Sequence, residues 1–106
     1  MVKKKIKIVN SKGKIKIPKK TYKNAEFAFY SSEAANVYVA GEFNGWNTES
    51  LPMKKDEDGV WRSKVKLLPG RYEYKLFADN AWIENLPGAE SIPNPFGTQN
   101  FIILVK

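Results

Sequence analysis

The chain has no cysteine and no histidine. The first absence removes disulfides and thiol nucleophiles. The second removes the imidazole that most often moves protons in enzymes, and together they leave no usual zinc site. Long apolar runs are missing too. The longest uninterrupted one extends only from Phe101 to Val105, far short of the roughly 20 residues a membrane-spanning helix needs. Lys3, Lys4 and Lys5 could imitate the start of a secretory signal, but Lys7 and Asn10 break the apolar stretch that should follow. The expectation from these absences is a soluble, cytoplasmic protein with no cofactor, no metal site and no membrane partner.

What is present suffices for one domain. The 106 residues are 42% hydrophobic and 13% aromatic, enough for a single packed core and too few for two independent ones. The net charge of +7 is unevenly distributed. Residues 1–23 hold ten lysines and no acid, which leaves eight basic residues against all 11 acidic ones in the remainder, a balance of −3. The basic character therefore belongs to an N-terminal arm, residues 1–24, and the body, residues 25–106, is mildly acidic. A nucleic-acid partner is not expected from a charge confined in this way.

Within the arm, Lys5-Ile6-Lys7-Ile8 and Lys14-Ile15-Lys16-Ile17 alternate with period two around Asn10-Ser11-Lys12-Gly13. This predicts an edge strand pair, with isoleucine on one face and lysine on the other, that ends at Pro18. From Glu26 onward strand signals recur at short spacing and nothing of helical period interrupts them. Phe27 and Phe29 alternate with Glu26 and Ala28, Val37 and Val39 follow, residues 60–67 form a long run, and Tyr72, Tyr74 and Leu76 alternate after Pro69-Gly70. Many short strands with Gly and Pro turns predict an all-β fold, a sandwich or a barrel. Residues 60–67 and 71–78 are expected to pair as a hairpin across the Pro69-Gly70 turn.

Three segments carry more than a bare sandwich requires. Ala40-Gly41-Glu42-Phe43-Asn44-Gly45-Trp46-Asn47 runs a strand into a turn followed at once by tryptophan, a residue that is hard to bury on a turn. Tyr74 to Trp82 repeats the pattern of strand, turn and tryptophan. Asn94-Pro95-Phe96-Gly97-Thr98-Gln99-Asn100 is a polar loop with one aromatic residue, leading into the last strand.

Those segments, with Pro52-Met53, Gly59-Val60-Trp61 and Leu68-Pro69-Gly70-Arg71-Tyr72-Glu73-Tyr74-Lys75 in the same order, resemble the family 48 carbohydrate-binding modules. That family includes the glycogen-binding domain of AMP-activated protein kinase beta subunits and the N-terminal domains of isoamylases and branching enzymes. The resemblance covers about residues 25–106. It implies an immunoglobulin-like sandwich of the early-set type that binds α-1,4-linked glucans such as glycogen, starch or maltooligosaccharides. It further implies that Trp46 and Trp82 flank the sugar chain, that Lys75 and Asn100 reach glucose hydroxyls, that Thr98 adds a polar contact, and that Phe96 serves as an apolar wedge. A glycogen-metabolising enzyme or a kinase is the protein partner that such a module suggests.

The chemistry of this set is coherent by itself. A glucose ring has an apolar face of axial C–H groups and a rim of hydroxyls, so a binder needs flat rigid aromatics for the one and fixed donors and acceptors for the other. By alternation with Tyr74 and Leu76, Lys75 points away from the core, whereas Trp61, Phe43 and Tyr72 read as core. No carboxylate pair has the spacing of a glycosidase, and Asp56, Glu57 and Asp58 read as a solvated hairpin loop, so catalysis is not expected. The alternative reading is an early-set protein-interaction module that docks onto a catalytic or kinase partner without binding sugar.

Overall fold

The computed structural model describes Ile8–Val9, Ile15–Lys16 and residues 21–106. Ile8–Val9 (β1) and Ile15–Lys16 (β2) pair antiparallel as a two-stranded sheet of their own. The rest of the Lys-rich arm, including the turn at Asn10 to Gly13 and the stop at Pro18, lies outside the described residues.

The body is a sandwich of two antiparallel sheets. One contains Lys23–Tyr30 (β3), Lys54–Lys55 (β5) and Val60–Leu67 (β6), in the order β3-β6-β5. The other contains Val37–Gly41 (β4), Gly70–Ala78 (β7), Ala81–Trp82 (β8), Glu90–Pro93 (β9) and Gln99–Val105 (β10). Its order is β4-β7-β10-β9, with β8 also paired to β7. The one helical element among the described residues is a single 3₁₀ turn, Glu42–Asn44. The all-β class expected from the strand pattern and the immunoglobulin-like sandwich implied by the family resemblance are the observed fold.

One expected pairing is absent. Residues 60–67 do not form a hairpin with 71–78: β6 pairs with β3 and β5, whereas β7 lies in the opposite sheet. Pro69-Gly70 is a corner between sheets, not a hairpin turn. Gly70 supplies an unusual φ of 156°, Pro69 has no N–H to place in a ladder, and the Leu68 carbonyl takes a hydrogen bond from the Tyr72 hydroxyl at 2.7 Å. The corner lets the inner faces of β6 and β7 meet across the core, which a flat hairpin could not do.

That core is built from alternate residues. Ala25 and Phe27 of β3, Val37 and Val39 of β4, Trp61 and Leu67 of β6, Tyr74 and Leu76 of β7, and Phe101 and Val105 of β10 are all buried. Phe27 and Tyr74 meet edge to face at 4.8 Å, and Tyr74 meets Phe101 at 5.7 Å, so an aromatic stack ties the sheets together. Trp61 is core as expected, its indole N–H donating to the Ser31 carbonyl at 3.2 Å. Phe43 and Tyr72, also expected in the core, are partly buried and pack against the rim of the core. The loop at Asp56 to Gly59 joins β5 to β6 and is clipped by an ion pair between Asp56 and Arg62.

Two consequences position the site. Because Tyr74 and Leu76 face inward, Glu73, Lys75 and Phe77 belong to the outer face of the five-stranded sheet. On the β7 edge opposite β4, β10 pairs with residues 70–74 and β8 with residues 77–78, so Lys75 falls at the junction between them.

Candidate functional site

Three loops converge on that outer face. The first leaves β4 at Gly41, makes the 3₁₀ turn and delivers Trp46. Gly45 and Trp46 both adopt left-handed backbone, with φ of 64° and 60°. For glycine this is unstrained; for tryptophan it costs about 1–2 kcal/mol. The surroundings hold it there. The Trp46 N–H donates to the Gly41 carbonyl at 2.9 Å, and the Asn44 side chain accepts from the Gly41 N–H at 2.9 Å while donating to the Asn47 carbonyl and the Ser50 hydroxyl. A strained backbone that turns a large, half-buried indole outward is a common sign of a functional position.

The second loop is the two-residue turn Asp79-Asn80 between β7 and β8, with φ of 49° and 66°, the left-handed pair that a tight hairpin demands. The Asp79 carboxylate accepts from the Ala35 and Asn36 N–H groups, which locks the turn to the start of β4. Trp82 follows, 40% exposed, with its ring edge to face on Phe77 at 5.0 Å.

The third loop joins β9 to β10 and is organised by Asn94. Its Oδ1 accepts from the N–H groups of Phe96 and Thr98 at 3.0 and 3.1 Å; its Nδ2 donates to Thr98 Oγ1 at 2.8 Å and to Asn100 Oδ1 at 2.9 Å. The hydrogens and lone pairs of that amide are then filled. Gly97, at φ 83°, lets the chain turn back, and Phe96 is left at the tip, 88% exposed.

The loops enclose an open groove of about 740 Å³. All six residues singled out in the sequence, Trp46, Lys75, Trp82, Phe96, Thr98 and Asn100, line it. Lys75 does leave the core face, but it is not solvated. It is only 6% exposed, and its ammonium donates to the Gln99 carbonyl at 2.8 Å and to Glu84 Oε1 at 3.2 Å, with the Phe101 ring 5.9 Å away. Asn100 Nδ2 donates to Glu73 Oε1 at 3.0 Å. That bond, together with Arg71 at 3.2 Å, holds the Glu73 carboxyl below its ordinary value of 4.5 against the opposing effect of burial.

Sequence reasoning missed Glu42, Glu73, Glu84, Asn94 and Pro95 on the same wall. A signal existed for three of them. Asn94-Pro95 is a dipeptide that initiates turns, and Glu73 shares the outer face with Lys75 by simple alternation. Glu84 carries no such signal, because it lies past β8 where no period operates.

The unused hydrogen-bonding capacity defines what the groove can hold. After the bonds above and that of the Thr98 hydroxyl, which donates to Asn94 Oδ1 at 3.1 Å, and counting the described residues, Lys75 retains one N–H, Asn100 retains one N–H and one lone pair, and Thr98 retains one hydroxyl lone pair. These are neutral or singly charged groups at fixed positions, set among two indoles and a phenyl ring. The family model for carbohydrate-binding module 48, described as the isoamylase N-terminal domain, matches residues 13–94.

The chain belongs to this family. Relatives of the family 48 module include protein PTST homolog 2, chloroplastic, from Arabidopsis thaliana, 42% identical over 53 residues, which is 50% of this chain and 10% of the relative. The beta-2 subunit of 5'-AMP-activated protein kinase from Homo sapiens is 31% identical over 77 residues, 73% of this chain and 27% of that subunit. A chloroplastic/amyloplastic 1,4-alpha-glucan-branching enzyme from Pisum sativum is 28% identical over 68 residues, 55% of this chain and 8% of the enzyme. The module thus spans about a quarter or less of the length of these relatives.

Proposed function

We propose that the module binds α-1,4-linked glucans, such as glycogen, starch or maltooligosaccharides, in the groove and does so without catalysis. Trp46 and Trp82 stack on the apolar faces of glucose rings, Phe96 presses against the chain from the loop tip, and Lys75, Thr98 and Asn100 bond to hydroxyls. The observation that carries this reading is the coincidence, in one groove, of three accessible aromatic rings with polar groups whose remaining valences match a hydroxyl rim. Each C–H contact with a ring contributes roughly 0.5 kcal/mol, so several rings must act together. An open groove of this kind binds with a Kd on the order of micromolar to millimolar, about −8 to −4 kcal/mol, and branched polymers raise the effective affinity by multivalency.

The groove carboxylates support the non-catalytic half of the proposal. A glycosidase needs one carboxyl held protonated as an acid. Glu73 is held ionised instead, Glu84 is paired with Lys75, and Glu42 accepts the Glu73 N–H at 2.9 Å. By analogy with the kinase subunit and the branching enzyme, the module acts beside a glycogen-metabolising enzyme or a kinase. Native gel electrophoresis with glycogen cast into one of two lanes tests the reading. Retardation in the glycogen lane, lost in Trp46→Ala and Trp82→Ala, is the expected result; equal mobility in both lanes would favour a protein-docking module.

A further inference from the structure

The charge of the groove is opposite to that of the chain. Three carboxylates, Glu42, Glu73 and Glu84, line it against one lysine, in a protein of net charge +7. Within the ion pair on the groove wall the burial is lopsided: the Lys75 side chain is 7% exposed and that of Glu84 is 53% exposed, so the acid is open to the ligand space and the base is covered. The Lys75 ammonium is further occupied by the Gln99 carbonyl. Arg71, which balances Glu73, is not part of the lining. Glu42 has no cation within ion-pair distance among the described residues.

We infer that the groove selects uncharged glucan chains and rejects chains that carry phosphate esters. This rests on the glucan-binding reading above and specifies the substrate class for the same site. A phosphomonoester brings about −1.5 to −2 charges near neutral pH and needs a cation or several free N–H donors to replace its hydration. The groove offers one remaining Lys75 N–H and one Asn100 N–H, surrounded by like charge. Neutral hydroxyls lose nothing in that setting, because a carboxylate accepts from a hydroxyl readily. At low ionic strength the repulsion between a phosphate and carboxylates several ångströms away weakens binding by about 10-fold, and it fades as salt shortens the screening length.

The test compares maltoheptaose with maltoheptaose bearing a 6-phosphate on one glucose, by isothermal titration at ionic strengths of about 0.01 M and about 1 M, where the screening lengths are roughly 30 and 3 Å. The expected result is preference for the neutral chain at low salt that narrows at high salt. The preference also narrows in Glu84→Gln, which leaves the Lys75 charge uncompensated, and in Glu42→Gln. Either variant serves if the other fails to fold, and the wild-type salt series needs neither. Equal affinity for the two chains at low salt, or a preference that salt leaves unchanged, overturns the inference and leaves glucan binding standing. Failure of both chains to bind overturns the glucan-binding reading and the inference with it.

Discussion

Asn94 and Asn100 are joined by one hydrogen bond, Nδ2 to Oδ1 at 2.9 Å, and that bond decides which end of the Asn100 amide faces the Glu73 carboxylate. An ionised carboxylate only accepts, so the atom opposite Glu73 Oε1 must be Asn100 Nδ2, 3.0 Å away. Its oxygen then needs a donor, and Asn94 supplies it. Asn94, which touches the binding groups without being one of the residues proposed to touch sugar, is a positioning residue for both Thr98 and Asn100.

Asn94→Asp separates this role from loop folding. The introduced carboxylate keeps the acceptors for the Phe96 and Thr98 N–H groups but loses both donors and sets an oxygen against Asn100 Oδ1. Leaving that amide mispaired costs about 1–3 kcal/mol. Maltoheptaose binding is expected to weaken by about 10-fold near neutral pH, and to recover as the pH falls to about 4, where the protonated carboxyl again donates. A titration series across pH checks this; a uniform loss at every pH would reduce Asn94 to a loop-folding role.

Glu73 links the groove to acid stability. Its folded pKa lies below the ordinary 4.5, chiefly through the Asn100 hydrogen bond and Arg71. On acidification the unfolded chain therefore takes up this proton first. The stabilisation from ionised Glu73 is complete above the ordinary value and is lost as the pH falls from there through the lower folded value. Thermal melts of wild type and Glu73→Gln should differ by a constant amount at neutral pH, and the difference should shrink below about pH 4.5. A difference that grew on acidification would contradict the assignment.

The strand pattern and the turn dipeptides made the all-β class and the outward lysine legible before any coordinates. Val37, Val39, Tyr74, Leu76 and Phe101 alternate as core residues must, and every site residue named from the sequence lines one groove. What alternation cannot express is partnership. Pro69-Gly70 is compatible with a hairpin and with a corner between sheets; the choice depends on which neighbouring strand covers β6, a non-local fact. Lys75 was assignable to the outer face, but its burial follows from Glu84 and Gln99, which are distant in sequence. The Asn94 network likewise depends on Glu73 being brought alongside β10.

Gly41 is required by space, not by its backbone angle. A Cβ there would lie 2.7 Å from the Phe43 ring and 2.8 Å from the Glu73 carbonyl oxygen. Gly41→Ala must displace Phe43 from the core rim or push β4 from β7, at about 1–3 kcal/mol. For a domain of this size that lowers Tm by roughly 4–8 °C per kcal/mol. Because the Gly41 carbonyl also holds the Trp46 N–H, glucan binding should weaken along with stability. Calorimetry showing an unchanged Tm would refute the packing argument.

The central claim is that Trp46 and Trp82 jointly contact one glucan chain. Intrinsic tryptophan fluorescence titrated with maltoheptaose tests it most directly, since the third tryptophan, Trp61, is buried in the core and serves as an internal constant. The account predicts a saturable change with a Kd in the micromolar-to-millimolar range. Each of Trp46→Ala and Trp82→Ala should weaken binding by about 10-fold or more, equivalent to about 1.4 kcal/mol, and the double variant should give no response. A flat signal from the wild type at about 10 mM sugar, well above that Kd range, or full binding by either single variant, would contradict it.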